Sequence, residues 1–308
     1  MNQAKTGLEA INPKQLETWV LLAKNRINFG RLPQYIPILS EANPAWLAVS
    51  IKTISGKICT GGNLDIKFPL MSVIKPFVFF NLLCELGEEA VFKTVGIEPT
   101  EKPYNSLIQL EEDKGWPRNP TINSGAIALA SLLPGSSAIE KCEKLRLWLN
   151  EQANCQLSLD ELMLSSVKSL PNQRNRTIAR ILAESGYIKN WEIALDTYER
   201  ICCLSGNIVD LANLGMLLVK PPGAQWQEYA LIVKALMSTC GLYEASARYA
   251  VKIGIPCKSG VSGGMLGVVP GEGAIACYSP PLDTEGNSVG GLFLLELMSQ
   301  ELKLSVFN

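Results

Sequence analysis

The sequence predicts a mixed α/β fold of the α+β type, with one central, mainly antiparallel sheet built from both chain ends and flanked by helices. Alternating apolar and polar residues predict strands near residues 47–60 and again near residues 265–278. Between residues 105 and 235, apolar residues recur instead at helical spacing. We therefore predict a discontinuous α/β domain of residues 1–104 and 236–308, and a mainly helical domain of residues 105–235.

The first part of the chain predicts a helix followed by a β-hairpin. Residues 13–28 have apolar side chains at helical spacing, and the stretch from Gly30 to Pro33 ends that pattern. Residues 47–51 then alternate in polarity, and the pair Ser55-Gly56 provides a turn before residues 57–60. These two segments predict the first hairpin.

The remaining elements are predicted from the same two patterns, alternation of apolar and polar residues for strands and helical spacing of apolar residues for helices. Residues 265–269 and 274–278 flank a turn at 270–273 and predict a second hairpin, and residues 289–304 predict a closing helix. Four further helices are predicted in the middle of the chain, at residues 123–133, 137–150, 175–183 and 210–219.

Composition limits the class of partner. The chain has 308 residues, of which 47% are hydrophobic and 19% charged, so it can bury a large core without disulfides. Its 28 basic and 29 acidic side chains give a net charge of -1, which favours neither nucleic acid nor a membrane surface. We expect a small neutral or zwitterionic partner.

The cysteines and the N-terminal residues predict a cytoplasmic protein. Charged side chains interrupt the first thirty residues, and no run of about 18 apolar residues occurs. Nine cysteines, an odd number without a Cys-x-x-Cys pair, indicate reduced and mainly structural thiols.

The chain contains no histidine. This excludes Ser-His-Asp and Cys-His catalysis and histidine-ligated zinc, because imidazole is the base or the ligand in each. Acid–base chemistry must therefore use Lys, Tyr, Asp, Glu or Cys.

Ser72 and Lys75 form a Ser-x-x-Lys pair, which places a hydroxyl and an amine about one helical turn apart. Pro76 is tolerated only near a helix start, so a helix through residues 77–86 is expected to begin close to Ser72. Burial of the lysine would favour its neutral form, which can accept the serine proton. The spacing alone is weak evidence, since Ser165 and Lys168 show it too.

A second motif strengthens this interpretation. Lys258-Ser259-Gly260 resembles the Lys-Thr-Gly element that accompanies Ser-x-x-Lys in serine β-lactamases and penicillin-binding proteins. The backbone amides of Val261 and Ser72 could then form an oxyanion hole. The alternative is a glycine-rich entry to a strand with no catalytic role.

Longer stretches of the chain resemble the glutaminase family, whose members have a β-lactamase/transpeptidase-like fold and hydrolyse L-glutamine to glutamate and ammonia. The resemblance covers nearly the whole chain. The most specific stretches are Asn119-Pro120-Thr121-Ile122-Asn123-Ser124-Gly125-Ala126-Ile127 and Gly254-Ile255-Pro256-Cys257-Lys258-Ser259-Gly260-Val261.

The resemblance implies specific roles for individual residues. Ser72 would be the acylated nucleophile, Lys75 its activating partner and Tyr243 a proton relay, and no metal or organic cofactor is implied. Either Lys75 or Tyr243 could take the first proton, since the two would titrate together. The family implies a homodimer or homotetramer. The residues implied to contact substrate are Tyr35, Ser72, Asn123, Asn175, Tyr198, Tyr243 and Val261 through its amide.

Each of these contacts has a structural alternative. Asn123 could be a residue at a helix N-terminus, Asn175 a surface residue on a helix, and Tyr198 a buried aromatic.

Two departures from the family concern substrate recognition. The family has a glutamate, implied to pair with the substrate α-ammonium, seven residues before Asn175, where this chain has Lys168. Reversing a charge about 4 Å from an ammonium replaces an attraction of roughly 4 kcal/mol with a similar repulsion, before rearrangement or screening. Met71 replaces a family glutamine.

If Lys168 lies in the substrate site, the substrate would lack an α-ammonium or carry an extra carboxylate. Alternatively, Lys168 points to solvent and the loop around Pro171 is rearranged.

Two other functions stay open at this point. One is a related Ser/Lys amidase or esterase with a different small substrate. The other is a catalytically silent relative that binds an amino acid or a protein partner.

Overall fold

The structure, a computed structural model, describes residues 7–170 and 173–307, so the predicted rearrangement at Pro171 lies outside the described residues. Within those ranges, no helix combines the length and the apolar character needed to cross a bilayer. The strands are β1 (Ala48–Thr53), β2 (Ile58–Gly62), β3 (Phe68–Pro69), β4 (Ser158–Leu159), β5 (Leu204–Gly206), β6 (Cys257–Ser259), β7 (Gly264–Val269) and β8 (Gly273–Tyr278).

The α-helices of the described residues vary from single turns to more than four turns. They are α1 (Pro13–Lys24), α2 (Pro37–Ser40), α3 (Lys75–Leu86), α4 (Glu88–Phe92), α5 (Leu107–Glu112), α6 (Asn123–Leu132), α7 (Ala138–Ala153), α8 (Glu161–Ser169), α9 (Gln173–Glu184), α10 (Trp191–Cys202), α11 (Ile208–Val219), α12 (Gln227–Cys240), α13 (Ser246–Lys252) and α14 (Val289–Leu302).

The main sheet joins the two ends of the chain. Its five strands run in the order β2-β1-β8-β7-β6, and every neighbouring pair is antiparallel. Both predicted hairpins are present, and β1 pairs with β8 from Ala48 opposite Tyr278 to Thr53 opposite Gly273. This arrangement confirms the predicted mixed fold with an antiparallel sheet.

Both faces of this sheet are covered, which explains why its strands are apolar throughout β7 and β8. Val49 and Ile275 belong to a core on the side of α1 and α14. Ala276 and Leu266 belong to a larger core on the opposite side, where α11 packs on the sheet. The period of two along each strand therefore distributes side chains between two cores. The proposed division into residues 1–104 with 236–308 and residues 105–235 stays a prediction.

The predicted helices form with small differences at their ends. The closing helix ends at Leu302 rather than at residue 304, because Lys303 adopts a left-handed conformation with φ 58° and caps it. The helix predicted from residue 137 uses Ser137 as its N-cap, whose hydroxyl accepts the backbone N–H of Glu140, and it extends to Ala153.

A second, three-stranded sheet was not predicted, and it positions the segment before Ser72. Its order is β3-β5-β4, with Phe68 opposite Gly206. The Leu70 amide also donates to the Leu204 carbonyl at 2.8 Å. These contacts hold the residues before Ser72 against the chain that leaves α10.

Candidate active site

Ser72 lies in a turn of 3-10 helix, Met71–Ile74, that continues directly into α3. Its side chain is 7% exposed. Met71, the preceding residue, has φ 48°, in the left-handed region that non-glycine residues seldom adopt. Such strain is retained where the surrounding packing imposes it, and it fixes how the next side chain is presented.

Lys75 is buried at the first residue of α3, 2% exposed. Its Nζ donates to the Thr121 carbonyl and to Asn123 Oδ1, both at 2.9 Å. Burial lowers the pKa of Lys75 to about 8, and the nearby Cys202 thiol opposes that effect. Since both acceptors are neutral, the ammonium form has little compensation, and a neutral amine is accessible near physiological pH.

Asn123 connects Lys75 to the wall of the site. Its Oδ1 also accepts the hydroxyl of Tyr198 at 3.0 Å, and its Nδ2 donates to Asn175 Oδ1 at 2.9 Å. Asn123 is 5% exposed at the start of α6, and Tyr198 is 8% exposed on α10. Four helices, α3, α6, α9 and α10, therefore contribute side chains to one hydrogen-bond network that joins the amine of Lys75 to Asn175.

Tyr243 approaches the serine from the other side. It also has a positive φ of 56°, and its hydroxyl donates to the Ser259 carbonyl at 3.3 Å. Burial raises the pKa of Tyr243 above its ordinary value, and hydrogen bonding to Ser72 and Ser259 lowers it in part. The tyrosine is therefore a neutral hydroxyl that can both donate and accept.

A second buried lysine lies behind Tyr243. Lys258 is fully buried on β6, and its Nζ lies 4.6 Å from the centre of the Tyr243 ring. Burial, followed by the charge of Lys75, holds the pKa of Lys258 well below its usual range. The charge of Lys75 therefore adds to burial in disfavouring the charged form of Lys258.

Glycine at position 260 permits the Lys-Ser-Gly strand to lie against the serine turn. A Cβ added at Gly260 would lie 2.7 Å from the Leu70 carbonyl oxygen and 3.2 Å from the Val73 amide nitrogen. The next residue, Val261, is 8% exposed. Its backbone is thereby held beside the turn that carries Ser72.

Ser72, Asn123, Tyr198 and Val261 line a cavity of about 500 Å³, and Lys75 and Tyr243 lie behind its wall. An adjoining outer cavity of about 600 Å³ shares Tyr35, Tyr104 and Val261 with it. The residues that line the inner cavity are Tyr35, Ile36, Met71, Ser72, Tyr104, Asn105, Asn123, Val167, Leu170, Gln173, Arg174, Asn175, Tyr198, Glu199, Cys202 and Val261.

Lys168 lies outside this cavity. Its Nζ forms an ion pair with Asp196 Oδ1 at 2.5 Å, and it lines a separate, smaller cavity. Met163 and Val167 occupy the buried face of α8, which turns the next residue toward the half-exposed side. The structure therefore does not support the expected substrate contact by Lys168.

Tyr104, Arg174 and Glu199 are among the lining residues that the sequence did not predict. Tyr104 places its ring 4.9 Å from that of Tyr243, and Arg174 donates to Asn105 Oδ1 at 3.3 Å. Glu199 is 8% exposed on α10. Glu199 lies four residues after the apolar Leu195, on the buried face of α10, where a carboxylate is unusual.

The described ranges contain no cluster of three or more His, Cys, Asp or Glu side chains arranged for a metal ion. All nine cysteines are unpaired, and eight of them are buried. The fold and the site together define the class of protein: an amide hydrolase with a β-lactamase-like fold, in which a Ser-x-x-Lys turn lies beside a Lys-Ser-Gly strand.

The particular family follows from comparison with known proteins. The sequence profile of the glutaminase family matches residues 30–307. A glutaminase of Synechocystis sp. is 45% identical over 299 residues, which are 96% of this chain and 91% of the relative. The chain belongs to the glutaminase family.

Solved structures agree with this assignment. A probable glutaminase of Bacillus subtilis superposes with a TM-score of 0.88 at 33% identity, covering 96% of this chain and 97% of the other. The Bacillus subtilis glutaminase YbgJ, in covalent complex with 5-oxo-L-norleucine, superposes with a TM-score of 0.86 at 32% identity, covering 96% and 99%.

Proposed function

We propose that this chain hydrolyses L-glutamine to L-glutamate and ammonia through an acyl-enzyme on Ser72. The observation that carries the proposal is that Ser72 lines the cavity, hydrogen-bonds the buried Tyr243, and stands three residues before the buried, readily neutralised Lys75. Membership of the glutaminase family supports the substrate.

Lys75 is the proposed first base. Its Nζ donates to the Thr121 carbonyl and to Asn123 Oδ1, which accounts for two of its tetrahedral positions. In the neutral amine a lone pair remains for a third partner, and the hydroxyl of Ser72 is three residues earlier on the same turn. Tyr243 hydrogen-bonds Ser72 and relays the proton without ionising, since burial disfavours its phenolate.

In the first half-reaction, Ser72 Oγ forms a bond to the carboxamide carbon and its proton passes to the base. The amides of Ser72 and Val261 stabilise the developing oxyanion. The carbon–nitrogen bond then breaks, and the leaving nitrogen takes the proton and departs as ammonia. In the second half, water attacks the ester, the bond to Ser72 breaks, and glutamate leaves as the serine regains its proton.

The remaining wall residues hold the substrate. Asn123 uses one N–H for Asn175 and retains a second, which can donate to the substrate. The hydroxyl of Tyr198 donates to Asn123 and can still accept a substrate N–H. Tyr35, on the boundary with the outer cavity, contacts the end of the substrate nearest solvent.

Ammonia release from L-glutamine by the purified chain tests the function. We expect release that disappears in Ser72→Ala. The matched control is Ser165→Ala, because Ser165 begins the second Ser-x-x-Lys spacing but lies exposed on α8, and this variant is expected to retain full activity. Equal release by Ser72→Ala, or none by the unmodified chain, would contradict the proposal.

We also infer a cytoplasmic location and a homodimer or homotetramer. Nine unpaired cysteines support a reducing compartment, and the family resemblance supports the assembly. Light scattering coupled to gel filtration should give the mass of two or four chains, and a monomer would refute the inferred assembly.

A further inference from the structure

Two charged side chains of opposite sign line the Ser72 cavity. Glu199 is the only carboxylate among the described residues that line it, and Arg174 is the only cation. A cavity with one acid and one base on its wall suits a zwitterion, whose ammonium and carboxylate need opposite partners.

From this arrangement we infer that Glu199 binds the α-ammonium of the substrate and so supplies the negative charge that Lys168 does not provide. The inference rests on the proposed function, since it assigns one end of the amino-acid substrate of that same site. It makes Glu199 a specificity-determining residue rather than a catalytic one.

The position of Glu199 supports this role. It follows Tyr198 on α10, and the hydroxyl of Tyr198 bonds to the Asn123 network beside Ser72. Glu199 therefore enters the cavity wall from the helix that already reaches the reacting centre. With 8% exposure, its carboxylate is shielded from solvent, where attraction to an ammonium is stronger than in water.

Lys168 forms its ion pair with Asp196, and Glu199 lines both the Ser72 cavity and the separate cavity that contains Lys168. Asp196 pairs with Lys168 at 2.5 Å and with Arg200 at 3.1 Å, so the nearest acid on the same helix neutralises the lysine. Glu199 also makes interactions within the protein. An ionised carboxylate has about four acceptor positions, which leaves room for an ammonium as an additional partner.

The chemistry can be tested by binding, independently of turnover. In a Ser72→Ala background, calorimetry would compare L-glutamine with 4-carbamoylbutanoate, which is glutamine without its α-amino group. Glu199→Gln should weaken L-glutamine binding by about tenfold or more, because it removes the charge but keeps the shape. The same change should alter binding of the deamino amide by less than about twofold.

Glu192→Gln is the matched control. Glu192 is an acid on the same helix but is exposed and does not line the Ser72 cavity, so its loss should leave both affinities unchanged. Equal weakening of both ligands by Glu199→Gln would indicate a structural role and overturn the inference. The inference would also be overturned if Glu199→Gln left the ratio of the affinities for L-glutamine and 4-carbamoylbutanoate unchanged. The same holds if the Ser72→Ala protein with Glu199 intact did not bind L-glutamine.

The two proposals fail separately. Ammonia release from L-glutamine combined with an unchanged affinity ratio would refute the role of Glu199 alone. Binding of L-glutamine that depends on Glu199, without any ammonia release by the unmodified chain, would refute the proposed function alone.

Discussion

Replacing Asn123 with aspartate should move the pH dependence of catalysis, because it places a carboxylate beside the proposed base. Asn123 Oδ1 is 2.9 Å from Lys75 Nζ. At an effective dielectric near 20, two unit charges at that distance attract by about 6 kcal/mol before the cost of desolvating the new carboxylate. Opposite charges this close commonly raise the pKa of a lysine by about 1–3 units.

The unmodified chain should show kcat/KM rising with pH and reaching a plateau above about pH 8, since the base must be neutral and the pKa of Lys75 is about 8. Asn123→Asp should raise the apparent pKa of this pH dependence by about 1–3 pH units. At pH 8 the neutral fraction would then fall from about half to between about one-tenth and one-thousandth, a loss of about 5- to 500-fold.

The assay is ammonia release followed from pH 6 to 11, with circular dichroism used to confirm that the protein stays folded. Asn123→Ala is the control: it removes the contacts of Asn123 without adding a charge, so it should lower kcat/KM across the pH range without raising the pH at which activity appears. An apparent pKa that stays near 8 in Asn123→Asp would refute the assignment of Lys75 as the base.

Three further changes test other parts of the site and fold. Tyr243→Phe should lower kcat by about 10²–10⁴ with little change in Tm, because it removes the hydroxyl that relays the proton; kcat within tenfold of the unmodified value would refute the relay. Phe68→Ala should lower the free energy of unfolding by about 3–5 kcal/mol, since Phe68 is 1% exposed and stacks on Tyr278 with ring centres 4.0 Å apart. Chemical denaturation would measure the loss, with Phe307→Ala, at an exposed position, as the control. A Phe68→Ala variant as stable as the control would contradict the packing argument. Met71→Gln should lower KM for L-glutamine by about two- to tenfold with kcat nearly unchanged, because one new hydrogen bond contributes about 0.5–1.5 kcal/mol; an unchanged or higher KM would show that position 71 does not contact substrate.

The main sheet could be predicted because its signals are local. Alternation over a few residues and a short turn identify each hairpin, whereas the structure supplies the pairing of β1 with β8 that joins the two hairpins. The three-stranded sheet could not be predicted in this way, because β3 and β4 each have two residues. Such short strands have no periodicity to detect.

The site divides similarly between local and distant information. The spacing of Ser72 and Lys75 is visible in the sequence, and so is the Lys-Ser-Gly strand. The bond from Lys75 to Asn123 joins residues 48 positions apart, and the bond from Tyr198 to Asn123 joins residues 75 apart. Only the folded chain brings them together.

Lys168 shows the limit of carrying a role to an aligned position. Its sequence position suggested a contact with substrate, but its side chain forms an ion pair with Asp196 instead. The acidic residue that lines the Ser72 cavity is Glu199, on a different helix. Neither fact depends on spacing alone, because each is set by how α8 and α10 pack together.

The central claim, a covalent intermediate on Ser72, can be tested directly by trapping. The reagent 6-diazo-5-oxo-L-norleucine formed a covalent 5-oxo-L-norleucine complex with the Bacillus subtilis glutaminase YbgJ. In this chain, Ser72 Oγ should displace dinitrogen from the reagent, and L-glutamine should protect against the reaction. Peptide mapping by mass spectrometry should then find one 5-oxo-L-norleucine group on Ser72. An adduct on another residue, or no adduct in a folded protein, would contradict the account.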